Sequence, residues 1–306
     1  MKKIVLFSVV LLFSLVLSSC QKETSWEPTI IYEEIDLPGV ENTYEFLFLT
    51  DTHMIVQSDD DTKQMKENAA PRLLEFQNTE GVISADQFKT WIKYANDTQV
   101  NAVLFGGDII DYPSDANITH LKKEIQNLKV PYLYTLGNHD WTYPWDYMTE
   151  HGKNTYIPML NEFTTSNSAI HTMEFEEFII VALDNSTTQF DPNCLAQFKE
   201  LLAGQKPVIV LIHVPVMTQS VLGRAREIRG ADKRIVLGAG NFGGIYPNEI
   251  SQEIMNLLVA EGSPVELVLA GHVHFYDKDF VDGEKPVLQI VGDAGYKGSA
   301  IHLTIK

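Results

Sequence analysis

The 306 residues suit one large domain or two small ones, and at 44% apolar they can bury a substantial core. Formal charge is -18; the first twenty residues hold Lys2, Lys3 and no acid, leaving 21 basic against 41 acidic side chains, a net of -20. Such a balance argues against binding a nucleic acid duplex, whose phosphates need clustered cations.

In chain order, "MKKIVLFSVVLLFSLVLSSC" has two lysines, an apolar core from Ile4 to Leu17, and small residues. It reads as a targeting segment, residues 1–19, too short for a comfortable spanning helix. The closing "LSSC" resembles the lipobox of bacterial lipoproteins, in which the Cys, here Cys20, is lipidated and becomes the new N-terminus. That resemblance implies an extracytoplasmic protein, lipid-anchored to a bacterial membrane in the periplasm or at the cell surface; an ordinary secretory leader is the alternative. Only Cys20 and Cys194 occur, so lipidation of Cys20 leaves no intramolecular disulfide, and Cys194 reads as a packing residue.

Residues 20–43, polar with two prolines, read as a tether into a domain spanning 44–306. From Tyr44 onward short β-branched or aromatic runs recur: "YEFLFLT", "NAVLFGG", "VPYLYTLG", "FIIVAL", "PVIVLI" and "VELVLAG". Their continuous apolarity predicts strands covered on both faces. Helices are predicted between them. Ser84 and Gln87 suggest a capping box ahead of the Phe88, Trp91, Ile92, Ala95 face. "THLKKEIQNLK" aligns Leu121, Ile125 and Leu128, Asp191 caps "PNCLAQFKELLA", and "PNEISQEIMNLL" aligns Ile250, Ile254, Leu257 and Leu258. Alternating strands and helices predict an α/β fold. The tail after residue 278 reads as hairpin strands, with Asp282-Gly283 as a turn.

Five of these runs end in residues able to hold a metal: Asp51 and His53; Asp108 and Asp111; Asn138, His139 and Asp140; His213; His272 and His274. In α/β sheets ligands collect beyond the carboxyl ends of strands, so these groups should converge on one rim. Asp51 and His53, two apart on an extended segment, would point the same way, as would His272 and His274. A single strand-end His is ordinarily a satisfied surface or core residue, and Asp and Asn are common turn formers. The coincidence decides: five of nine histidines directly follow apolar strands, and three of the five strand ends carry carboxylate or amide groups. His120, His151, His171 and His302 lack such company and receive no role.

"DTH", "GGDIID", "GNHD", "IH" and "GHVH" together resemble, in order over residues 51–274, the motif series of the calcineurin-like metallophosphoesterases. The resemblance implies two β-sheets packed as a sandwich flanked by helices. It implies two divalent or trivalent transition metal ions: Asp51, His53, Asp108 and His274 on one, Asp108, Asn138, His213 and His272 on the other. Imidazole with carboxylate suits Fe, Zn or Mn. The implied reaction is hydrolysis of a phosphate mono- or diester by a metal-activated hydroxide. His139 would protonate the leaving group, Asp111 would accept the other ring N–H of His139, Gly137 would permit a sharp turn, and Asp140 would orient its neighbours. Phospholipids or wall polymers are possible substrates beside a membrane. The reading from another class is a metal-stabilised surface lipoprotein that binds a ligand such as a glycan without turnover.

"GAGNFG", residues 238–243, fits G-x-G-x-x-G, but a proline soon follows rather than a helix start, so it reads as a loop. Arg224, Arg226, Arg229, Lys233 and Arg234 form the one dense basic patch, a solvated helix face by default and otherwise a partner for a substrate anion. Trp141, Tyr143 and Trp145 read as loop packing, with stacking on a flat substrate group as the alternative.

Overall fold

The computed structural model describes residues 26–142, 148–204, 206–230, 232–238 and 244–306. The leader, Cys20, Tyr143, Trp145 and the glycine-rich stretch from Ala239 to Gly243 lie outside them. The chain begins with β1 (Thr29–Ile35), β2 (Tyr44–Leu49), α1 (Lys63–Glu75), α2 (Ser84–Thr98), β3 (Ala102–Phe105), α3 (Asp115–Ile125) and β4 (Tyr132–Tyr134). It continues through α4 (Asn138–Trp141), α5 (Glu150–Tyr156), β5 (Ile170–Glu174), β6 (Ile179–Leu183), α6 (Leu195–Leu202), β7 (Val208–Leu211) and α7 (Gln219–Arg229). It closes with β8 (Val236–Leu237), β9 (Gly244–Ile245), α8 (Glu249–Leu258), β10 (Val265–Ala270), β11 (Asp277–Val281), β12 (Val287–Val291) and β13 (Ser299–Ile305).

Two mixed sheets result, ordered β1-β13-β2-β3-β4 and β11-β12-β10-β7-β6-β5. Pleating sends alternate residues to opposite faces. On β2, Phe46 and Phe48 meet Ile209, Leu211, Leu267 and Leu269 of the second sheet, while Leu47 and Leu49 pack under Phe88, Trp91 and Ile92 of α2. The outer face of the second sheet is covered by Phe198 of α6, Val221 of α7 and Ile254 of α8. The result is the expected helix, sheet, sheet, helix sandwich. Each fully buried Leu or Phe in it contributes about 1.5–3 kcal/mol, so the double coverage of β2, β3, β7 and β10 explains their unbroken apolarity.

Three expectations are corrected. Residues 29–35 are not tether: β1 pairs in parallel with β13 from Thr29–Ser299 to Ile35–Ile305. Its Ile35 enters the inter-sheet core, Trp26 just before it packs edge-on to Trp91, and Pro28 and Pro38 fall outside the strand, where no ladder N–H is missed. Ser84 is not a cap; it begins α2 and accepts from Ile55 N–H at 3.3 Å, while Gln87 donates to the carbonyls of Val82 and Tyr296. In the tail, β11 and β12 form the predicted hairpin, but β13 crosses to the first sheet between β1 and β2.

Candidate metal centre

Strands β2, β3 and β4 run parallel, as do β6, β7, β10 and β12, so each sheet presents a set of carboxyl ends. Immediately beyond them Asp51, His53, Asp108, His272 and His274 all adopt positive φ, between 42° and 73°. Left-handed turns, rather than the extended alternation expected from their spacing, therefore aim these side chains. Each such residue costs about 1–3 kcal/mol of backbone strain. Dense bonding holds them: Asp51 N–H donates to Gly107 O and His53 N–H to Asp108 O, each at 2.9 Å. Asp51 Oδ2 accepts from Thr50 Oγ1 at 2.7 Å and from His272 N–H at 2.9 Å.

Gly137 has an ordinary φ of -99°, so freedom to turn is not why it is glycine. Space is. A β-carbon there would lie 2.2 Å from both N and Oδ1 of Asp108, and one on Gly271 would lie 2.0 Å from Thr50 Oγ1.

Two clusters form. Asp51, His53, Asp108 and His274 bring ligand atoms within 4.8 Å of one another, and so do Asp108, His213 and His272. Asp108 belongs to both. Its Oδ1 accepts from His139 N–H at 2.7 Å, while its Oδ2 lies 3.2 Å from His213 Nε2 and 3.8 Å from His53 Nε2. Asn138 borders the second cluster on a shared cavity, its Oδ1 buried with no hydrogen-bond partner among the described residues. Asp51 Oδ1 is equally orphaned, 3.2 Å from His274 Nε2 without hydrogen-bonding geometry. Ring nitrogens face each other at 3.1 Å (His53, His274) and 3.2 Å (His272, His213). Buried acceptors without donors are costly, and a cation among imidazole, carboxylate and amide donors satisfies them all. The residues fit a pair of metal ions.

Electrostatics agree. Burial drives His53 down to about 4 against its Asp111 contact, and burial with the neighbouring His213 drives His272 down to about 3. Both rings are therefore neutral, as a ligand must be. His213 behaves oppositely: burial opposes its charge, but Asp108 beside it raises it to about 10. Carboxylates that hold a proton on His213 would equally hold a metal ion in its place.

Beside the clusters stands a third group, His53, Asp111 and His139. Asp111 Oδ1 lies 3.1 Å from Nδ1 of both histidines. Arg72 of α1 also reaches it, with a terminal nitrogen 2.6 Å from Oδ1 and Nε bonded to Oδ2. The same terminal nitrogen lies 3.3 Å from His139 Nδ1, so a cationic side chain already serves this group. Burial works against the Asp111 charge, yet Arg72 and the two histidines hold it well below the ordinary carboxylate range. For His139, burial lowers the pKa but Asp108 and then Asp111 outweigh it, raising it to about 9. Asp140 is buried under five donors: the N–H groups of Asp108, Ile109, Ile110 and Gly137, and the Tyr134 hydroxyl. It fastens the loop after β3 to the loop after β4.

Arg72 went unrecognised in the sequence because Pro71 reads as a helix breaker, although α1 runs through it, and nothing marks its partner. The cap at Thr62 and the spacing of Met65, Ala69 and Leu73 are the local signals for α1. Phe76 follows α1 and stacks on the His53 ring at 4.1 Å with planes 3° apart. Tyr296 reaches His274 Nδ1 at 3.4 Å. The basic patch divides: Arg224 pairs with Asp277, whereas Arg229 and Lys233 line the cavity of the centre. Trp141 is buried and donates to Ser186 Oγ at 2.9 Å, so it packs the core rather than a substrate. Cys194 is likewise core.

A two-sheet sandwich with paired Asp/His clusters at its carboxyl edge is the architecture of a metallophosphoesterase. Residues 44–276 match the family model of calcineurin-like phosphoesterases, and the chain belongs to that family. No curated protein matches it in sequence. Among solved structures, a dimetal phosphatase from Danio rerio is similar in fold, with TM-score 0.51 and 14% identity over 83% of this chain and 88% of that one. A phosphatase from Mycoplasma pneumoniae is also found, with TM-score 0.36 and 13% identity over 83% of this chain and 74% of that one.

Proposed function

We propose that the protein is a dinuclear metal-dependent phosphoesterase that hydrolyses a phosphate mono- or diester. The observation that carries this reading is Asp108 shared by two ligand clusters, with His139, 30% exposed, opening beside them onto the same cavity. Two Fe, Zn or Mn ions, held by Asp51, His53, Asp108 and His274 and by Asp108, Asn138, His213 and His272, would supply Lewis acidity and a water acidified towards hydroxide near neutral pH.

The protein's own part is proton placement and alignment. His139 Nδ1 lies 3.0 Å from the Asp111 carbonyl and 3.1 Å from its Oδ1, two acceptors closer than the one donor there, an Arg72 guanidinium nitrogen at 3.3 Å, and so favouring Nδ1–H. Nε2 is left to serve the substrate. Asp111 beside the ring favours its charged form, and a ring protonated at Nε2 can give that proton to the departing oxygen. Arg72 and His53 fix Asp111, Asp111 fixes the imidazole, and Asp108 fixes the backbone beneath it.

The deciding experiment assays purified protein on a panel of mono- and diesters with Mn²⁺ or Zn²⁺ and with chelator. His139→Asn should lower kcat by about 10²–10⁴. A variant that keeps the wild-type rate on every ester removes the catalytic assignment. Equal inertness of loaded and chelated wild type on all of them favours the glycan-binding lipoprotein instead.

We further propose a lipid anchor at Cys20 that holds the domain outside the cytoplasm, supported by the leader's charge, length and "LSSC" close. Among the described residues no helix is long and apolar enough to cross a membrane. Cys20→Ala should move the protein from the membrane to the soluble fraction.

A further inference from the structure

The cavity over the centre encloses about 390 Å³, and beyond the ligand and His139 side chains its wall is Ile228, Arg229, Lys233 and Ile235. Resting on the phosphoesterase reading, we propose that Arg229 and Lys233 form a subsite for a second anionic group, phosphate or carboxylate, that the ester carries within a few bonds of its scissile phosphorus.

Three observations converge. In a chain of net charge -18, many cations are paired, among them Lys153 with Asp191, Lys199 with Glu253 and Lys285 with Glu266. Arg229 and Lys233 make no ion pair among the described residues, although 41 acids are available. Second, the groups already assigned suffice for one phosphoryl and its leaving oxygen, so a simple monoester leaves both cations idle. Third, the two charges are flanked by aliphatic side chains, one of them Ile228 at 54% exposure, an unusual placement for a large apolar residue. Apolar neighbours displace water and weaken screening, so an anion there gains more than at an open surface. Arg229 adds a planar fork suited to two oxygens of a phosphate or carboxylate.

With a diphosphate ester, hydrolysis at the terminal phosphorus breaks the bridging P–O bond. The oxygen of water bonds to that phosphorus, and the bridging oxygen departs on the inner phosphate, taking a proton from His139 that the water's proton replaces. The inner phosphate is the group Arg229 and Lys233 would hold.

The test uses metal-loaded protein and three matched esters: propyl phosphate, propyl diphosphate and 2-carboxyethyl phosphate. Wild type should favour a doubly anionic ester over propyl phosphate by about tenfold or more in kcat/KM, the scale of one charge-assisted hydrogen bond. Which of the two is favoured distinguishes phosphate from carboxylate. Arg229→Gln/Lys233→Gln should reduce that ratio to about one, and Arg234→Gln, a charge off the cavity, should preserve it. A wild-type ratio near one, a ratio surviving the double variant, or an equal loss in Arg234→Gln, which would mark long-range steering, overturns the subsite. Turnover of propyl phosphate with such a result fails the subsite alone. If none of the three turns over, the wider panel of mono- and diesters decides the phosphoesterase reading, and calorimetry with non-hydrolysable methylenediphosphonate still decides the subsite. Binding about tenfold tighter to wild type than to the double variant supports the subsite, and equal binding overturns it.

Discussion

Arg72→Gln removes the only guanidinium that the described residues place against Asp111, whose carboxylate is fully buried. Asp111 then keeps two imidazole contacts at 3.1 Å, and in chelated protein the part-exposed His139 ring is the one cation left beside it. Breaking a buried ion pair from one side costs about 3–5 kcal/mol. The Arg72 side chain is 23% exposed, so the lower end applies, about 3 kcal/mol. For roughly 280 folded residues, an unfolding entropy near 2.1 cal/mol/K per residue converts that into a Tm loss of about 5 °C. Because Asp111 also orients His139, kcat should fall by about 10–100-fold with KM little changed. Arg72→Lys should fall between, since a point charge cannot span both oxygens. Calorimetry of chelated protein, steady-state kinetics of loaded protein and a double-mutant cycle with Asp111→Asn are the assays. Removing both partners leaves no orphaned charge, so the double variant should be more stable than the sum of the singles predicts, by about 1.5 kcal/mol or more. Additive energies with a Tm within about 1 °C of wild type would refute the reasoning.

Gly137→Ala forces its β-carbon onto Asp108 and should cost about 1–3 kcal/mol while lowering metal content, read by urea titration and elemental analysis. Wild type should bind two ions per chain by equilibrium dialysis, and Asp108→Asn should retain fewer than one, because both clusters use that residue. In chelated protein, His139 has a folded pKa of about 9 against an ordinary value of 6.5. Its contribution to stability is therefore fully present below pH 6.5 and lost as pH rises through about 9. The unfolding free energy of wild type minus His139→Asn, measured by urea titration across that window, should fall; a flat difference contradicts the assignment.

Where a side chain's role follows from its immediate neighbours in the chain, the sequence was enough to see it. Of the six strands read from the sequence, five are central, where burial on both faces demands continuous apolarity, as Ala102–Phe105 and Val208–Leu211 show; the sixth, β4, lies at an edge but still buries Leu133 and Tyr134. The edge strand β1 was not, because an edge need bury only part of its surface and so tolerates Glu33 and Glu34 beside Ile35. Arg72 illustrates the same limit in the site. Its partner lies 39 residues away, and no periodicity or motif links a solvated helix end to a loop aspartate. Arg229 and Lys233 looked like a helix face until the fold laid the end of α7 against the cavity.

The positive φ of five cluster residues also explains why those residue types serve there. Asp and His enter the left-handed region more readily than most side chains, so the residues that make good turn formers after a strand are also the ones that offer oxygen and imidazole donors. The turn-forming and metal-binding readings of "DTH" and "GHVH" therefore describe one requirement, not two competing ones. The two can still be separated by substitution. Asp51→Asn keeps the left-handed tolerance and an acceptor oxygen but removes the charge, so it should spare the fold and weaken ion binding. Asp51→Ala removes the acceptor that His272 N–H and Thr50 Oγ1 share, so it should disturb the turn even in chelated protein. If the two variants destabilise the chelated protein equally, the hydrogen bonds around Asp51 do not hold that turn.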